Sequence, residues 1–475
     1  MSAEKNTKIV CTIGPATEHE KPLTELVKAG MNVMRLNFSH GDFAEHQFRV
    51  DNIKKINKKL GTSVAVLQDL GGPKIRIGEF DGGMTVLKPG ATFTLTTEKI
   101  LGNDKIVSIN YPLLPKEVKV GDPILLHDGK KELVVTAIKG KEVVCKVVVG
   151  GEIKNKRGVN LPGSDLSVSS LTEKDHKDLV FGLKNKVDFF ALSFVRRPED
   201  ITELRAILKK AKSEAKIIAK IETPQALRNI DEIIKLTDGV MVARGDLAIE
   251  IPAEDVPLAQ KMLIKKCNQA GKVVITATQM LESMIHSPVP TRAEVSDIAN
   301  AILDGTDAIM LSEETTLGEY PLQSVKMMTR VAKRIERDSH YRELVGARTY
   351  SDPIKRVSDA VGNGAVETAK EADAKLIVAF TETGFSARLI SRYKPAQSIL
   401  ALTPNEKTRN QLAASYGVTA HLTKKLNHVT DVVKESKSVA IKLGLAKKGD
   451  KIVIAFGLPL GQKGGGTNSI VVETI

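Results

Sequence analysis

The sequence lacks tryptophan altogether, and aromatic residues make up only 4% of its 475 residues. It has no apolar run long enough to cross a bilayer, and residues 1–5 form no apolar segment of the kind that a secretory signal carries. The three cysteines, Cys11, Cys145 and Cys267, lie far apart and without CxxC spacing, which argues against a disulfide framework and against a zinc site. These absences predict a cytoplasmic protein with no membrane partner.

The formal net charge of +13 is the first positive indication of function. A basic surface suits either nucleic acids or small anionic metabolites. Nucleic-acid binders usually gather Lys and Arg into stripes, often with stacking aromatic residues. Here the lysines instead alternate with Glu and Asp along amphipathic stretches such as 203–216. We therefore expect phosphorylated small molecules as partners, and no nucleic acid.

The length of the chain predicts two or three domains. Short apolar runs without in/out alternation recur along it, and most precede an amphipathic helical stretch, as parallel strands buried on both faces do. Eight such strands with intervening helices predict a (β/α)8 TIM barrel. The predicted strands are Thr7–Thr12, Asn32–Asn37, Ser63–Gln68, Asp188–Phe194, Lys216–Ile221, Gly239–Ala243, Lys272–Ala277 and Ala308–Leu311. The predicted helices include Leu23–Lys28, His46–Leu60, Pro198–Ala211, Pro224–Leu236, Pro257–Ala270 and Arg292–Leu303.

A long stretch between the third and fourth predicted strands has a different texture, with short alternating strands joined by turns that contain glycine. It predicts an inserted β-barrel domain that acts as a lid over the catalytic face. The barrel pattern ends after Tyr341, residues 348–352 are interpreted as a linker, and a separate α/β layer follows. The predicted elements of this layer are a helix at Ser358–Glu371 and strands at Leu376–Phe380, Ser398–Ala401, Val418–His421, Lys451–Ala455 and Ser469–Thr474. The predicted domains are 1–70 and 169–345 for the barrel, 71–168 for the lid, and 346–475 for the C-terminal α/β domain.

Chemistry in a barrel of this type belongs at the C-terminal ends of the strands. The second strand leads into Arg35, Asn37 and Ser39, which alternate and can therefore face one side together. The third leads into Asp69, and a Gly-Gly-Pro hinge then precedes Arg76, which is suited to a phosphate oxygen. These segments leave two alternatives open, a polar loop after strand two and a plain linker after strand three.

Strands five and six end in charged residues. Lys220 and Glu222 point the same way near the barrel axis, where charges are costly unless they are paired or bound to a metal. Gly245 and Asp246 open a helix, whose free N–H groups can hold an anion. Glu222 and Asp246 supply two hard carboxylates of the kind that hold Mg²⁺ together with substrate oxygens. The structural alternatives are a salt bridge for Lys220 and Glu222, and an ordinary helix cap for Asp246.

Hydroxyl groups follow the last two barrel strands. Thr278 follows strand seven and Ser312 follows strand eight, where they could bind substrate or relay a proton, although each taken alone fits a cap better than a catalyst. Taken together, a lysine, an arginine, two carboxylates and a helix N-terminus at one mouth favour phosphoryl transfer. That chemistry needs positioning and charge neutralisation more than a covalent nucleophile.

Five segments resemble the motifs of the pyruvate kinase family and occur in the family's order. The resemblance spans essentially the whole chain. It implies a (β/α)8 barrel with a β-rich lid and a C-terminal α/β domain, phosphoryl transfer from phosphoenolpyruvate to ADP giving pyruvate and ATP, Mg²⁺ with Mn²⁺ able to replace it, and a homotetramer. The segments are Arg35–Gly41 (RLNFSHG), Lys220–Glu222 (KIE), Met241–Leu247 (MVARGDL), Ala277–Met284 (ATQMLESM) and Pro290–Val295 (PTRAEV).

The resemblance also implies roles for single residues in the transfer. Arg35 would hold the phosphate of phosphoenolpyruvate, and Lys220 would neutralise the phosphoryl group in the transition state. Thr278 would lie beside the methylene carbon that is protonated, with Ser312 in the proton path. The substrate carboxylate would be received by the turn formed by Ala243, Arg244, Gly245 and Asp246.

The same resemblance implies two kinds of cation and a nucleotide site. Mg²⁺ would be held by Glu222 and Asp246. The nucleotide and its phosphates would contact Asn37, His40, Arg76 and Arg197. The family's K⁺ site uses oxygens that match Asn37, Ser39, Asp69 and Leu70. The usual nearby glutamate is Lys74 here. Because Lys74 supplies a positive charge itself, we expect activity that does not require K⁺.

The segment Phe380–Arg388 ends a strand, turns through glycine and begins a helix, so its N–H groups and hydroxyls suit a phosphate. An ordinary βα turn with Ser386 near the cap is the alternative. The segment matches the family's effector loop, which implies contacts from Thr381, Thr383, Gly384 and Ser386. Glu382 would repel a second phosphate, so we expect activation by a sugar monophosphate or AMP rather than by fructose 1,6-bisphosphate.

Two other functions remain open from the sequence. A different phosphoenolpyruvate or pyruvate barrel, such as a mutase or an aldol lyase, could share the Mg²⁺ carboxylates but would not need the lid, the His40 and Arg76 nucleotide set or the C-terminal domain. A basic scaffold or RNA-binding protein built on an inactive barrel would be expected to lose Lys220 or a metal carboxylate, and the sequence retains them.

Overall fold

The computed structural model describes residues 5–338, 356–460 and 466–475. Eight parallel strands close into a barrel, each paired with its neighbours in chain order and the last with the first. The predicted barrel is therefore confirmed, and its strand bounds differ from the prediction by no more than one or two residues. The barrel strands are Lys8–Thr12, Val33–Asn37, Ala65–Asp69, Phe189–Leu192, Lys216–Ile221, Gly239–Ala243, Val273–Ala277 and Ala308–Leu311.

The barrel strands are buried along almost their whole length. One face of each strand packs against the surrounding helices, and the other fills the barrel interior. The interior cluster contains small and branched or flexible side chains, among them Val10, Ala65, Ile218 and Met241. Burial on both faces explains why these strands show no alternation in the sequence.

Helices surround the barrel, and several begin at strong caps. Thr172 precedes Glu173–Asn185 and Thr291 precedes Arg292–Asp304, each in a capping box with the acidic residue three positions on. These caps place the helix starts without help from distant parts of the chain. The helices of the barrel region are Glu20–Ala29, Phe43–Leu60, Glu173–Asn185, Pro198–Lys210, Pro224–Arg228, Ile230–Leu236, Arg244–Glu250, Val256–Ala270, Arg292–Asp304, Glu313–Thr316 and Pro321–Glu336.

The prediction of one continuous helix over Pro224–Leu236 is wrong, because the chain breaks at Asn229. Asn229 has φ −96° and ψ 12°, and its side-chain amide donates to the carbonyl of Arg196 at 2.9 Å. A side chain that bonds a distant backbone group stabilises the break between the two short helices. Three further helices of the barrel region were not predicted, Glu173–Asn185, Glu313–Thr316 and Pro321–Glu336.

The insert between the third and fourth barrel strands has its own apolar core. It contains a six-stranded sheet and a two-stranded sheet. Along Glu142–Val149 the buried residues alternate with exposed or half-buried ones, as in a sheet with one face in water. The strands are Met84–Leu87, Thr92–Thr96, Ile106–Ser108, Pro123–Leu126, Lys131–Lys139, Glu142–Val149, Gly151–Lys154 and Val159–Asn160, with a short helix at Leu114–Glu117.

The C-terminal region is a five-stranded sheet whose last strand runs antiparallel to its neighbour, so the predicted α/β layer is confirmed. The predicted linker at 348–352 lies outside the described residues. The strands are Leu376–Phe380, Ser398–Thr403, Val418–Leu422, Lys451–Phe456 and Ser469–Thr474. The helices are Arg356–Glu371, Phe385–Ser391, Glu406–Gln411 and Val429–Lys442.

The C-terminal layer packs against the end of the barrel where the strands begin. Ala414 belongs to the apolar cluster inside the barrel. Lys394 pairs with Asp307 at 2.5 Å, and Lys407 pairs with Asp188 at 2.9 Å. We call this end the barrel base and the opposite end, next to the insert, the barrel mouth. No helix in the described ranges is both long and apolar enough to span a membrane.

Candidate active site

Four charged side chains from the second, third and fifth barrel strands meet at the barrel mouth. The ammonium of Lys220 lies 2.8 Å from the carboxylate of Glu222 and 3.4 Å from that of Asp69. It also donates to the hydroxyl of Ser193 at 2.7 Å. The guanidinium of Arg35 donates to Asp69 through Nε at 2.7 Å. All five residues are buried, so this cluster of alternating charges lies inside the protein rather than on its surface.

The charges in this cluster shift one another's pKa values. Burial opposes the ammonium of Lys220, but Asp69 and Glu222 outweigh it and raise the Lys220 pKa above its ordinary value. Burial and the nearby carboxylate of Asp246 raise the Glu222 pKa, with Lys220 acting against them. Burial also opposes the carboxylate of Asp69, yet Lys220 and Arg35 hold the Asp69 pKa below its usual range. Lys220 is therefore a fixed cation at neutral pH.

The carboxylates of Glu222 and Asp246 fit a magnesium ion. They repel each other strongly enough to affect the Glu222 pKa, and a divalent cation between them would relieve that repulsion. Among the described residues no group of three or more His, Cys, Asp or Glu side chains could hold a metal ion. Mg²⁺ does not need one, because it is usually bound by one or two carboxylates together with water and substrate oxygens.

A strained turn at the end of strand seven presents Thr278. Both Thr278 and Gln279 have positive φ, at 70° and 54°, a conformation that costs free energy for residues other than glycine. The Thr278 hydroxyl donates to the carbonyl of Ala277 at 2.6 Å and accepts from the N–H of Gly245 at 2.7 Å. Strand seven is thereby tied to the Ala243–Asp246 turn, and one of the N–H groups expected to receive a substrate carboxylate is engaged with Thr278.

Arg244 supports this turn from behind. It pairs with Asp297 at 2.6 Å and donates to the carbonyls of Ala277 at 3.2 Å and Thr278 at 2.8 Å. Its side chain therefore holds the turn together, and any substrate contact from Arg244 would come from its backbone.

Ser312 lies at the end of strand eight, where its N–H donates to the carboxylate of Glu314 at 2.7 Å. The other oxygen of Glu314 accepts from the N–H of Leu281 at 3.1 Å. Glu314 is 2% exposed, and burial raises its pKa. No role was predicted for Glu314, yet it joins the loops after strands seven and eight.

The residues of the expected K⁺ site lie together at the mouth, but several of their oxygens already have partners. The side-chain oxygen of Asn37 accepts from the N–H of Ser39 at 3.1 Å. The carbonyl of Leu70 accepts from Ser193 at 2.7 Å. Asp69 is shared between Arg35 and Lys220.

Lys74 adds a further cation to this neighbourhood. Desolvation lowers its pKa, the charges of Arg76 and Lys220 lower it further, and Asp246 and Asp69 act in the opposite sense. Charges that act on one another in this way are close in space. Lys74 therefore lies within the electrostatic field of the buried charges at the mouth, those of Asp69, Lys220 and Asp246.

A cleft of about 260 Å³ separates the barrel mouth from the insert. Lys74, Arg76, Arg157 and Arg196 line it together with Asp246. Lys156 and Arg228 add two more cations to the lining, and Asp128 and Glu250 add two more carboxylates. The cleft is therefore basic overall and also contains carboxylates, as a site for a metal-bound polyphosphate requires.

Arg157 was missed by the sequence analysis. Its Nε is buried and has no hydrogen-bond partner within the part of the chain that the structure describes. The guanidinium of its neighbour in the cleft, Arg76, donates to the carbonyl of Lys156 at 3.2 Å. The consecutive cations Lys156 and Arg157, where the insert returns to the barrel, were the available signal.

The other two expected nucleotide residues differ in position. Burial, and then the charges of Lys74, Arg76 and Arg35, lower the His40 pKa. His40 therefore lies near these three residues. Like His40, Arg197 does not line the cleft. Its side chain is 41% exposed and donates to the carbonyl of Ser167 at 3.3 Å.

The insert contacts the barrel at the rim of the cleft. Asn160 donates to the carboxylate of Glu250 at 2.8 Å, and Arg228 pairs with Asp165. Arg196 donates to the carbonyl of Val168 at 2.9 Å. These polar contacts help to hold the insert over the mouth.

The expected effector loop lies in the C-terminal region, which contacts the base rather than the mouth. Gly384 has φ 79° and precedes the helix that begins at Phe385. Ser386 is buried, and its hydroxyl accepts from that of Thr467 at 2.7 Å. The backbone carbonyl of Thr383 accepts from Arg388 at 3.2 Å. Thr381 is buried at the strand end.

The chain matches known proteins along both of its major parts. Residues 4–325 match the family described as pyruvate kinase, barrel domain, and residues 359–473 match the pyruvate kinase alpha/beta domain. A pyruvate kinase of Clostridium perfringens is 45% identical over 476 residues, which is 99% of this chain and 100% of that protein. One from Geobacillus stearothermophilus is also 45% identical, over 99% of this chain and 81% of its own length.

A solved structure, that of a pyruvate kinase from Cryptosporidium parvum, is similar throughout. Its TM-score is 0.92 at 38% sequence identity, over 99% of this chain and 96% of that one. Because both domain descriptions and full-length relatives agree with the geometry of the mouth, this chain belongs to the pyruvate kinase family and is a phosphotransferase enzyme.

Proposed function

We propose that this enzyme transfers the phosphoryl group of phosphoenolpyruvate to ADP with the aid of Mg²⁺, giving pyruvate and ATP as in the last step of glycolysis. The observation that supports this most directly is Lys220, a buried cation held between Asp69 and Glu222 at the barrel mouth. A preorganised charge of this kind stabilises negative charge that passes between donor and acceptor. No covalent nucleophile is needed.

Arg35 and Lys220 bind the two ends of the moving group. Arg35 is fixed by Asp69 through Nε and Nη2 and by the hydroxyl of Thr12, to which Nη1 donates at 2.8 Å. Each terminal nitrogen keeps one further N–H that could bind the substrate phosphate. Lys220 neutralises the charge of the phosphoryl group in the transition state of the transfer. Bound Mg²⁺ would supply charge neutralisation and orientation for the phosphate oxygens, and Glu222 and Asp246 would hold it.

After transfer, the enolate must gain a proton on carbon. Thr278 presents a hydroxyl from a strained turn, and we assign it the position beside the methylene carbon. Ser312, at the end of the next strand, belongs to the path that delivers the proton. The Ala243–Asp246 turn receives the substrate carboxylate through backbone N–H groups.

The nucleotide occupies the basic cleft beneath the insert. Arg76 and His40 contact its phosphates and sugar, with Asn37 nearby, and Arg157 joins them because it lines the cleft with an unpaired Nε. Arg197 would reach the nucleotide only if its side chain turned from the carbonyl of Ser167.

A coupled assay of pyruvate formation tests this function. We expect turnover of phosphoenolpyruvate only when both ADP and a divalent metal are present, with Mn²⁺ able to replace Mg²⁺. Asp246→Ala should raise the Mg²⁺ concentration needed for half-maximal rate, whereas Glu25→Ala, which removes an exposed carboxylate from the helix Glu20–Ala29, should not. Pyruvate formation that is independent of ADP would contradict the proposal and would favour a lyase or mutase.

The Lys74 ammonium makes added K⁺ unnecessary. It lies in the field of Asp69 and Asp246, where the family's monovalent site would otherwise place a mobile cation. The oxygens of Asn37, Ser39, Asp69 and Leu70 would then serve the internal network described above rather than bind K⁺.

A phosphorylated effector binds the loop formed by Thr381, Thr383, Gly384 and Ser386, and activates the enzyme. Glu382 disfavours a second phosphate, so a sugar monophosphate or AMP is the expected activator. Effectors titrated at sub-saturating phosphoenolpyruvate should show activation by the monophosphates and little by fructose 1,6-bisphosphate. Activation should be lost in the Thr383→Ala/Ser386→Ala variant. Strong activation by the bisphosphate would refute the Glu382 argument.

The remaining proposals concern organisation. We divide the chain into barrel segments 1–70 and 169–345, an insert that acts as a lid at 71–168, and a regulatory domain at 346–475. The enzyme is a cytoplasmic homotetramer. Sedimentation equilibrium of the full chain tests the oligomeric state, and a monomer at micromolar concentration would contradict it.

A further inference from the structure

The end of the fourth barrel strand lies between the insert and the charges at the mouth. Strand Phe189–Leu192 leads directly into Ser193 and Phe194, and we call these two residues the strand-four end. Ser193 is 3% exposed, and Phe194 is half-buried. Neither residue has a role in the transfer proposed above.

Ser193 fixes the ammonium of Lys220 through a neutral group. Its hydroxyl has a single proton, which is donated to the carbonyl of Leu70 at 2.7 Å, so its oxygen accepts from Lys220, also at 2.7 Å. The carboxylate of Asp69 lies farther from this hydroxyl, at 3.4 Å. A hydroxyl holds the ammonium in place without cancelling its charge, whereas a further carboxylate would neutralise it. Ser193 can therefore orient Lys220 and leave it a full cation.

The backbone of Phe194 holds Glu222. Its N–H donates to one carboxylate oxygen of Glu222 at 2.7 Å, while the other oxygen of Glu222 pairs with Lys220 at 2.8 Å. Phe194 has φ 53°, a left-handed conformation that costs free energy for a residue with a side chain and persists only where its surroundings hold it. The strand-four end is therefore a strained turn that contacts both members of the Lys220–Glu222 pair.

Both ends of the insert contact the strand-four end. Where the chain leaves the barrel, the carbonyl of Leu70 accepts from Ser193, and Gly72 then packs closely against both residues of the strand-four end. A Cβ atom at Gly72 would lie 2.9 Å from the ring of Phe194 and 3.0 Å from the Cβ atom of Ser193, which is too close unless one of them moves. Where the chain returns, the buried hydroxyl of Ser170 donates to the carbonyl of Phe194 at 2.7 Å. The position of the insert and that of the strand-four end are therefore linked.

We propose that Ser193 is a positioning residue for Lys220, and that the insert acts on the Lys220–Glu222 pair through Ser193 and Phe194. This role rests on the proposed function, because Ser193 acts in the same phosphoryl transfer. Lys220 stabilises charge in the transition state, so a shift of its ammonium should lower kcat more than it changes the binding of phosphoenolpyruvate. A misplacement of about 1 Å near the reacting atoms costs up to about a hundredfold in rate.

Steady-state kinetics of the full-length enzyme in the coupled pyruvate assay test the role of Ser193. Ser193→Ala should lower kcat about tenfold and leave the KM for phosphoenolpyruvate within about twofold of the wild-type value. The matched control is Ser324→Ala, which also removes a buried hydroxyl, one that donates to the carbonyl of Tyr320 at 2.9 Å on the outer helix Pro321–Glu336. This control should retain the wild-type kcat.

A double-mutant cycle separates the positioning of Lys220 from a general loss of structure. If Ser193 acts through Lys220, adding Ser193→Ala to Lys220→Met should lower kcat by no more than about twofold, because no ammonium remains to be positioned. A tenfold loss that persists in the Lys220→Met background would overturn the role of Ser193. A Ser193→Ala enzyme with the wild-type kcat would overturn it as well.

Two changes at the ends of the insert test its action on the strand-four end, each measured as kcat per folded molecule. Gly72→Ala should lower kcat severalfold, because the new methyl group displaces Ser193 and Phe194. Ser170→Ala should lower it to a smaller extent, because the hydrogen bond to Phe194 is lost. The control for Gly72→Ala is Gly61→Ala, which should retain kcat: φ is 64° at Gly72 and 68° at Gly61, but a Cβ atom at Gly61 would have no neighbour within 4 Å among the described residues.

The outcomes distinguish the parts of the proposal. Wild-type kcat in both Gly72→Ala and Ser170→Ala would overturn the link between the insert and the strand-four end. A wild-type enzyme without ADP-dependent turnover would overturn the proposed function and the role of Ser193 together. Equal turnover by the wild type and Ser193→Ala would overturn only the role of Ser193.

Discussion

The two ends of the barrel both bury lysines against carboxylates, but they do so in different ways. At the base, Lys394 pairs with Asp307 at 2.5 Å. The two carboxylate oxygens of Asp307 also accept from the N–H groups of Tyr416 and Val274, at 3.3 and 2.9 Å. At the mouth, the comparable partners of Lys220 are two carboxylates and a hydroxyl. At the base, the paired carboxylate also accepts hydrogen bonds from backbone N–H groups. At the mouth, several charged side chains are bound mainly to one another.

A repeated arrangement explains the base. Three aspartates each directly precede a barrel strand, and each accepts a hydrogen bond from a backbone N–H of the neighbouring strand, at 2.8 to 2.9 Å. Such bonds satisfy donors at the open edge of the barrel that would otherwise be unpaired. The three pairs are Asp188 with Val66, Asp238 with Ile217, and Asp307 with Val274.

The comparison teaches that burial of a charge does not by itself indicate function. A buried aspartate whose oxygens are used by backbone donors and a single cation is structural. Glu222 is different, because its pKa is raised by burial and by a second carboxylate, Asp246, which no structural role requires. Clustering of like charge next to a fixed cation is the mark of the functional end.

The largest expected effect is on stability at the base. Lys394→Met should leave Asp307 buried without its cation and lower the free energy of unfolding by about 3–5 kcal/mol. Chemical denaturation measures this change, and kcat per folded molecule should stay close to that of the wild type. If Lys394→Met were as stable as the wild type but catalytically impaired, Lys394 would not have the structural role given to it here, and the contrast between base and mouth would be wrong.

The converse change is Lys220→Met at the mouth. Losing this preorganised charge should reduce kcat on the order of a hundredfold or more, while the protein stays folded, as circular dichroism can establish. Lys184→Met is the control for loss of an exposed lysine. If Lys220→Met binds Mg²⁺ and retains most of its kcat, then Lys220 is structural, as Lys394 is.

A smaller effect, on the K⁺ dependence of the rate, is expected for Lys74. Wild-type rates in tetramethylammonium salts should equal those in K⁺ salts at matched ionic strength, and Lys74→Glu should create a several-fold stimulation by K⁺. Lys88→Glu makes the same charge change on the insert and should not. A large stimulation of the wild-type enzyme by K⁺ would contradict the role given to Lys74.

The smallest effect concerns His46. This residue lies in the helix Phe43–Leu60 beside the barrel, and its effect on stability is a reference for the changes at the base and at the mouth. Its ring stacks on Phe38 with 4.0 Å between centroids, and its Nε2 lies 3.0 Å from the carbonyl of His40. Burial, and then Arg49, lower the pKa of His46 to about 4. The unfolded state therefore binds a proton more readily than the folded state, and stability is lost as pH falls from about 6.5 toward 4.

Between pH 7 and pH 5 this loss should be roughly 1–2 kcal/mol. Denaturant midpoints of wild type and His46→Gln across that range measure it, and the variant should have a shallower pH slope. Parallel slopes in the two proteins would mean that other groups carry the pH dependence.

Much of the fold and part of the site could be predicted from the sequence. The eight barrel strands were visible because both of their faces are buried, which makes each one a short apolar run. Arg35, Lys220 and Glu222 were visible because they follow such runs, and strand ends converge in a barrel. The roles of these residues as a set still came from the resemblance to a family.

Other features depended on contacts between distant segments. The split helix at Asn229 reflects a hydrogen bond to Arg196, which local propensity does not contain. Arg157 gave only a weak signal, since two consecutive cations are usually solvated. The position of Arg197 outside the cleft depends on where the insert returns to the barrel.

By itself, the sequence determined the order of the eight barrel strands, the presence of an insert after the third barrel strand, and the charged residues at several strand ends. These follow from periodicity, caps and residue type, which act over a few positions. Only the tertiary structure decided which charges share a partner. It separated Lys220, which lies between two carboxylates, from Lys394, whose partner Asp307 also accepts from backbone N–H groups. Electrostatic roles depend on distances between strands and domains, and no local pattern encodes those distances.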